Sequence, residues 1–263
     1  MGRADSCTKI AFIGNTRLTL KALLMAKEMS HLELCAVFGL PPEAAANKTN
    51  YVDLRPFCDE YKLDLFVDND WQSFTSYCQE NNIECVVVMG DSRIVPAPLI
   101  ESVRVIGNHG AVLPDVQGGA SLVWGRLLNN GQWGNSLMEI DKKIDAGQIL
   151  KIKQFSYDES WSEYQFTEKC DDLTVEALKE VLLGKYQPQP NRRWEVRIAK
   201  HTDSSKVVKI LEECLSAGLA VYLPPRTSDD GHIDPEWTAE FIKVFKIANE
   251  YPYPRWQSEL KDK

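Results

Sequence analysis

His109 and Asp145 are the two side chains whose types and settings point most directly to chemistry. Both lie in VRVIGNHGAVLPDVQGGASLVWGRLLNNGQWGNSLMEIDKKIDAGQIL, residues 103–150, each in a glycine-flanked segment. An imidazole, whose ordinary pKa is about 6.5, donates to a developing oxyanion when charged and accepts a proton when neutral. A carboxylate beside it favours the charged ring, orients it, and can itself take a proton directly or through water. Asn108 adds a carboxamide N–H that would reach a carbonyl oxygen if its side chain turned inward. Taken by itself, a lone histidine after a strand is more commonly structural than catalytic. The other histidines, His31, His201 and His232, sit in polar surroundings without a partner motif and read as surface residues.

These residues need elements to position them. The apolar run Val103 to Ile106 delivers Gly107, Asn108, His109 and Gly110 to a strand's C-terminal edge, where ligands of open α/β sheets sit. Upstream, Lys9 to Ile13, Leu32 to Phe38, Leu63 to Val67 and Glu84 to Met89 read as strands. Leu18 to Met29, Tyr51 to Tyr61 and Trp71 to Glu80 read as the helices between them. Continuously apolar strands such as CVVV alternating with helices predict an α/β fold. Its Rossmann-like, mostly parallel sheet carries helices on both faces. The loop from Gly90 to Pro96 falls at the same edge as His109, and two such neighbouring loops make a crevice. Further on, Leu122 to Leu128 reads as a helix, Ser136 to Ile140 and Gln148 to Phe155 as strands, and Trp161 to Leu183 as a helix stopped by Gly184. The expected division is a core over residues 1–185 and a smaller C-terminal appendage over residues 186–263.

The chain has 263 residues, 44% hydrophobic and 26% charged, enough to bury a sizeable core. A net charge of -8 opposes broad attraction to phosphate backbones, so no nucleic-acid partner is expected. No apolar leader and no bilayer-length apolar run is evident, which predicts a cytoplasmic protein without a membrane partner. The seven cysteines are scattered and never spaced as a CxxC pair, signalling neither a disulfide framework nor a zinc site.

The order of a strand, an Asn-His pair among small residues, Leu-Pro, Gly-Gly and finally IDAGQIL resembles the folate-dependent formyltransferase family. IDAGQIL is the most specific piece. In that family Asn-x-His-x-x-x-x-Pro is followed further on by Asp-x-Gly; His109 and Pro114 keep the first offset, and Asp145 and Gly147 supply the second motif. The resemblance implies transfer of a formyl group from 10-formyltetrahydrofolate to an amine through a tetrahedral intermediate, without a metal. His109 and Asp145 carry over as catalytic residues. The family asparagine would fall at Gly107, and the nearest carboxamide is Asn108, the third catalytic candidate. The resemblance further implies that the folate's pterin is received largely by backbone hydrogen bonds. These come from the loop at Arg93, Ile94 and Val95 and the loop from Asp141 through Ile144 to Asp145. Where the family has Arg-Gly after the proline this chain reads Gln117-Gly118, so a substrate-side contact is expected to differ.

Residues 224–256, PPRTSDDGHIDPEWTAEFIKVFKIANEYPYPRW, resemble the DG-x-ID-W, amphipathic-helix and PYP sequence found after the core in two groups of formyltransferases. One group acts on nucleotide-linked amino sugars, the other on methionyl-tRNA. From the residues alone, Phe241, Val244, Phe245 and Ala248 form one helical stripe, terminated by Tyr251-Pro252-Tyr253-Pro254. A packing helix is the plainer account of it. The expected acceptor is a dTDP- or GDP-linked amino-dideoxy sugar of the kind destined for the O-antigen of lipopolysaccharide. Gln117, Trp124 and Arg17 are its candidate contacts, and the resemblance suggests a homodimer through the appendage. Two other readings stay open: glycinamide ribonucleotide formylation, favoured by DAGQI, and a noncatalytic binding protein that keeps the fold after its site has degenerated.

Overall fold

A computed structural model describes residues 7–45, 49–67 and 70–250. The Tyr251-Pro252-Tyr253-Pro254 terminator lies outside them. The described chain forms two compact units, residues 1–108, 137–150 and 175–187 making the first and residues 109–136, 151–174 and 188–263 the second. The expected core is thus shared between units, because residues 109–136 and 151–174 cluster with the segment that follows Gln187.

The first unit is built on β1 (Thr8–Ile13), β2 (Leu32–Phe38), β3 (Asp64–Phe66), β4 (Cys85–Val88) and β5 (Arg104–His109). These pair in parallel in the order β3-β2-β1-β4-β5, and the sheet continues with β7 (Gln132–Glu139) and β8 (Ile149–Ser156). Side chains alternate across the pleat. Ile10 and Phe12 therefore join one apolar cluster and Ala11 and Ile13 another. The first cluster gathers Leu18, Ala22 and Leu23 of α1 (Arg17–Lys27), Phe57 of α2 (Arg55–Tyr61), and Leu178 and Val181 of α6 (Glu163–Leu182). The second gathers Phe74 and Cys78 of α3 (Trp71–Glu80) and Leu99 of α4 (Ala97–Ser102). Burial on both faces is why these strands read as unbroken apolar runs.

Local chemistry sets the ends of the elements. Asp70 caps α3 by accepting the Ser73 N–H at 3.0 Å. Helix α2 starts at Arg55 rather than at Tyr51, since Tyr51 forms an isolated bridge with Thr16 and Pro56 occupies the first turn, where its missing N–H is tolerated.

The second unit holds a small parallel sheet in which β10 (Val221–Leu223) lies between β6 (Val116–Gly118) and β9 (Val196–Arg197). Its core collects Val123, Trp124 and Leu127 of α5 (Ser121–Leu128), Val207 and Leu211 of α7 (Ser204–Ser216), and Phe245 and Ala248 of α8 (Ala239–Ala248). The Arg226 guanidinium lies 4.8 Å from the Trp124 ring and 5.5 Å from Phe245, and burial lowers its pKa to about 10. The DG-x-ID-W stretch is spent on packing: Trp237 donates its indole N–H to Asp203, the cap of α7, and packs edge-to-face on Phe241 and tilted on Phe245. All seven cysteines are free thiols. Among the described residues no helix is long and apolar enough to cross a membrane, and no cluster of metal-ligating side chains is present.

Candidate active site

In the first unit the site begins with a latch. Asp91, just past β4, accepts the Arg93 backbone N–H at 2.8 Å and holds the Arg93 guanidinium at 2.6 Å. The same carboxylate accepts an N–H of Asn15 at 3.0 Å, while Arg93 donates to Gly39 O at 3.1 Å and lies over the Phe38 ring at 4.6 Å. The loops after β1, β2 and β4 are thereby tied to one carboxylate and one guanidinium. Sequence reading singled out Arg93 for its backbone and missed Asp91; the Asp-x-Arg spacing was the available signal.

What the latch leaves open is the main chain beyond it. The backbone N–H groups of Ile94 and Val95 have no hydrogen-bond partner among the described residues, and neither does that of Ile144. Ile94 is 75% exposed and Ile144 58%, the two most exposed large apolar side chains among those residues. Unpaired amides beside open aliphatic groups suit a flat heteroaromatic ligand with hydrogen-bonding edges, so both loops fit a pterin. Asp141, also on the second loop, is exposed and accepts the N–H of Lys142.

Asn108 points at the first of these loops, its Oδ1 accepting the Gly90 N–H at 3.3 Å. Its Nδ2 donates to no protein atom among the described residues, which leaves an oriented N–H₂ available to a carbonyl oxygen. The glycine two places before His109 is crowded by a side chain. A Cβ at Gly107 would stand 2.4 Å from Ile140 Cδ1, so no asparagine fits two places before His109 without displacing that isoleucine. Gly147, the glycine of the Asp-x-Gly motif, is required in the same way: a Cβ there would meet the Glu139 carbonyl oxygen at 1.7 Å. Asp145 itself is 9% exposed and left-handed, with φ 51°. Asparagine and aspartate tolerate that region better than most residues.

Asn108 closes a segment of the first unit and His109 opens the second. His109 is 6% exposed, and its Nε2 lies 2.9 Å from Val116 O. A carbonyl oxygen can only accept, so Nε2 carries a hydrogen in either charge state and Nδ1 is the ring nitrogen that can gain or lose one. A backbone carbonyl leaves no trace in sequence, which is why this partner was not anticipated. Around it the polar groups are satisfied. Ser136 bridges Ala111 O and Leu113 N, Trp133 donates to Gly110 O at 2.8 Å, and Trp124 donates to Pro224 O at 3.0 Å. Trp124 is a fully buried packing residue, and Gln117, only 2% exposed, donates to Pro114 O and Arg192 O. Arg17, in the first unit, is half-buried at the start of α1, with its backbone N–H on Asn50 O at 3.0 Å.

A family profile described as formyl transferase matches residues 8–182. Among sequence relatives, the methionyl-tRNA formyltransferase of Thermodesulfovibrio yellowstonii is 24% identical over 197 residues, 72% of this chain and 55% of that protein. This chain thus aligns with little more than half of that relative's length. Among solved structures, a sugar N-formyltransferase from Shewanella superimposes with a TM-score of 0.64 at 15% identity, covering 95% of this chain and 92% of that one. HypX from Aquifex aeolicus in complex with tetrahydrofolic acid superimposes with a TM-score of 0.59 at 13% identity, covering 92% of this chain and 34% of that one. At such identities the likeness is one of fold.

Proposed function

Because this chain belongs to the formyl transferase family, we propose that it moves a formyl group from 10-formyltetrahydrofolate to the amine of a nucleotide-linked amino-dideoxy sugar, in the cytoplasm. The observation that carries the reading is the Asn108 carboxamide, aimed by Gly90 and left with its N–H₂ available next to a loop of unpaired backbone amides. When bound, the folate supplies an activated formyl group on a nitrogen that can depart.

This chain's residues then have separable tasks. Ile94, Val95 and Ile144 hold the flat ring by backbone amides and aliphatic contact. Asn108 Nδ2 donates to the formyl oxygen as negative charge gathers there, a contact that strengthens toward the transition state. His109 exchanges a proton at Nδ1, and Asp145 accepts a proton from the incoming amine. Such an acid–base pair is worth about 10² to 10⁴ in rate.

The sugar acceptor is supported by two things. The sugar N-formyltransferase likeness runs over 92% of the neighbour's length, and the net charge of -8 disfavours a polyanionic partner. A second reading, methionyl-tRNA as acceptor, is favoured by the name of the sequence relative. One experiment separates them. The protein is incubated with 10-formyltetrahydrofolate and either a panel of nucleotide-linked amino sugars or methionyl-tRNA, and products are weighed for gain of one formyl group. Formylated sugar is the expected result; formylated methionyl-tRNA alone would replace it with the second reading, and no formylated product from either would remove both.

A further inference from the structure

We propose that Gln117 is a positioning residue for His109. Its buried carboxamide fixes the Val116 carbonyl that keeps a hydrogen on Nε2, so that His109 exchanges its proton at Nδ1 alone. The proposal rests on the catalytic reading of His109 given above, and it adds the residue and the atom through which that reading works.

The geometry lies within the second unit. Gln117 Nε2 has two hydrogens, and two carbonyls take them: Pro114 O at 3.0 Å and Arg192 O at 2.8 Å. The first bond closes the turn over residues 114–117 on itself. The second ties that turn to a segment reached only after residue 188. Val116 lies inside that turn; its backbone N–H donates to Val112 O at 3.0 Å and its carbonyl lies 2.9 Å from His109 Nε2. Strand pairing reinforces the placement, with Val116 opposite Val221, Val221 N–H on Asp115 O at 2.9 Å, and Gly119 N–H on Leu223 O at 3.2 Å. A neutral imidazole free to choose would spread its proton over both nitrogens, and a fixed acceptor at one nitrogen removes the choice.

The test is nitrogen NMR of the His109 ring in the full chain, at a pH where the ring is neutral, alongside steady-state kinetics with 10-formyltetrahydrofolate and the accepted amine. The wild type is expected to show the Nε2–H tautomer. Gln117→Met, which fills the space without a donor, is expected to mix the tautomers and lower kcat about tenfold to a hundredfold, with KM for the folate unchanged. Gln117→Arg should restore the single tautomer and most of the rate. An Nδ1–H tautomer in the wild type overturns the proposal, as does an unmixed tautomer or an unchanged kcat in Gln117→Met. If Gln117→Met does not fold, Gln117→Glu, nearly the same in shape and without N–H donors when ionised, gives the same readings. A wild type with the Nε2–H tautomer that formylates no amine supports the positioning role and removes the proposed activity, so the two failures are told apart.

Discussion

The loops that carry Ile94 and Ile144 and the turn that holds His109 are finished to different degrees. In the first, backbone amides at 94, 95 and 144 and the Asn108 N–H₂ have no partner among the described residues, and two isoleucines stand open. In the second, His109 Nε2, both hydrogens of Gln117, and the indole N–H groups of Trp124 and Trp133 each meet a carbonyl. A buried group without a partner is costly, so a region left open at the surface is one that a ligand can complete, whereas a satisfied one is a fixed tool. On the proposed reading the contrast amounts to a division of labour, with binding left to groups that wait and proton transfer to a group already held.

That division can be broken by substitution. The largest expected effects are at the proton-transfer groups. His109→Ala and Asp145→Asn should each lower turnover by about 10² to 10⁴ in a formyl-transfer assay. Asparagine is chosen at 145 because it keeps the left-handed backbone. Near-normal rates in either variant would defeat the acid–base assignment. Next comes Asn108→Ala, where loss of one oxyanion donor should lower kcat by about 10² to 10³ while the denaturation midpoint stays put. A wild-type rate in that variant would assign the task to another donor and erase the contrast on its open side.

Stability comes third. Gly107→Ala drives a Cβ into Ile140 and should destabilise by about 1–3 kcal/mol in chemical denaturation, with Ile140→Ala in the same chain recovering part of the loss. No recovery would mean that Ile140 is not the obstacle at Gly107.

The smallest effect tests whether the second unit is satisfied throughout. It is not: Arg126 Nε and Glu163 Oε2 are buried without hydrogen-bond partners, 4.0 Å apart. Burial raises the Glu163 pKa well above the ordinary carboxylate value of 4.5. For a carboxyl whose folded pKa is raised, the associated stability is full below the unfolded value and is lost as pH climbs through the folded one. The stability of Glu163→Gln relative to wild type should therefore increase as pH rises above 4.5, read as a growing difference in denaturation midpoint. A difference that does not change with pH would show that the carboxyl titrates normally.

Much of this was legible because it is local. Leu32 to Phe38 and Trp71 to Glu80 were read with the bounds the structure gives, since a two-residue or a 3.6-residue apolar period sets each. The candidate loops were legible through spacing. Four things were not. Strand β6 is three residues long, and its pairing with β10 has no local pattern. Helix α4 is six residues behind Pro96, too short for a period to register. The steric demand of Ile140 on Gly107 depends on a side chain far along the sequence, and so does the Gln117 bond to Arg192.

The pairing of Val116 with Val221 also orders events during synthesis. A ribosome releases the histidine motif and the IDAGQIL motif long before it releases β10, so the carbonyl that sets the imidazole has only one short turn to lean on until the late strand arrives. The emerging polypeptide thus carries the proposed reactive groups before the strand that helps to hold them, and the turn at Val116 gains its full support only once β10 has emerged.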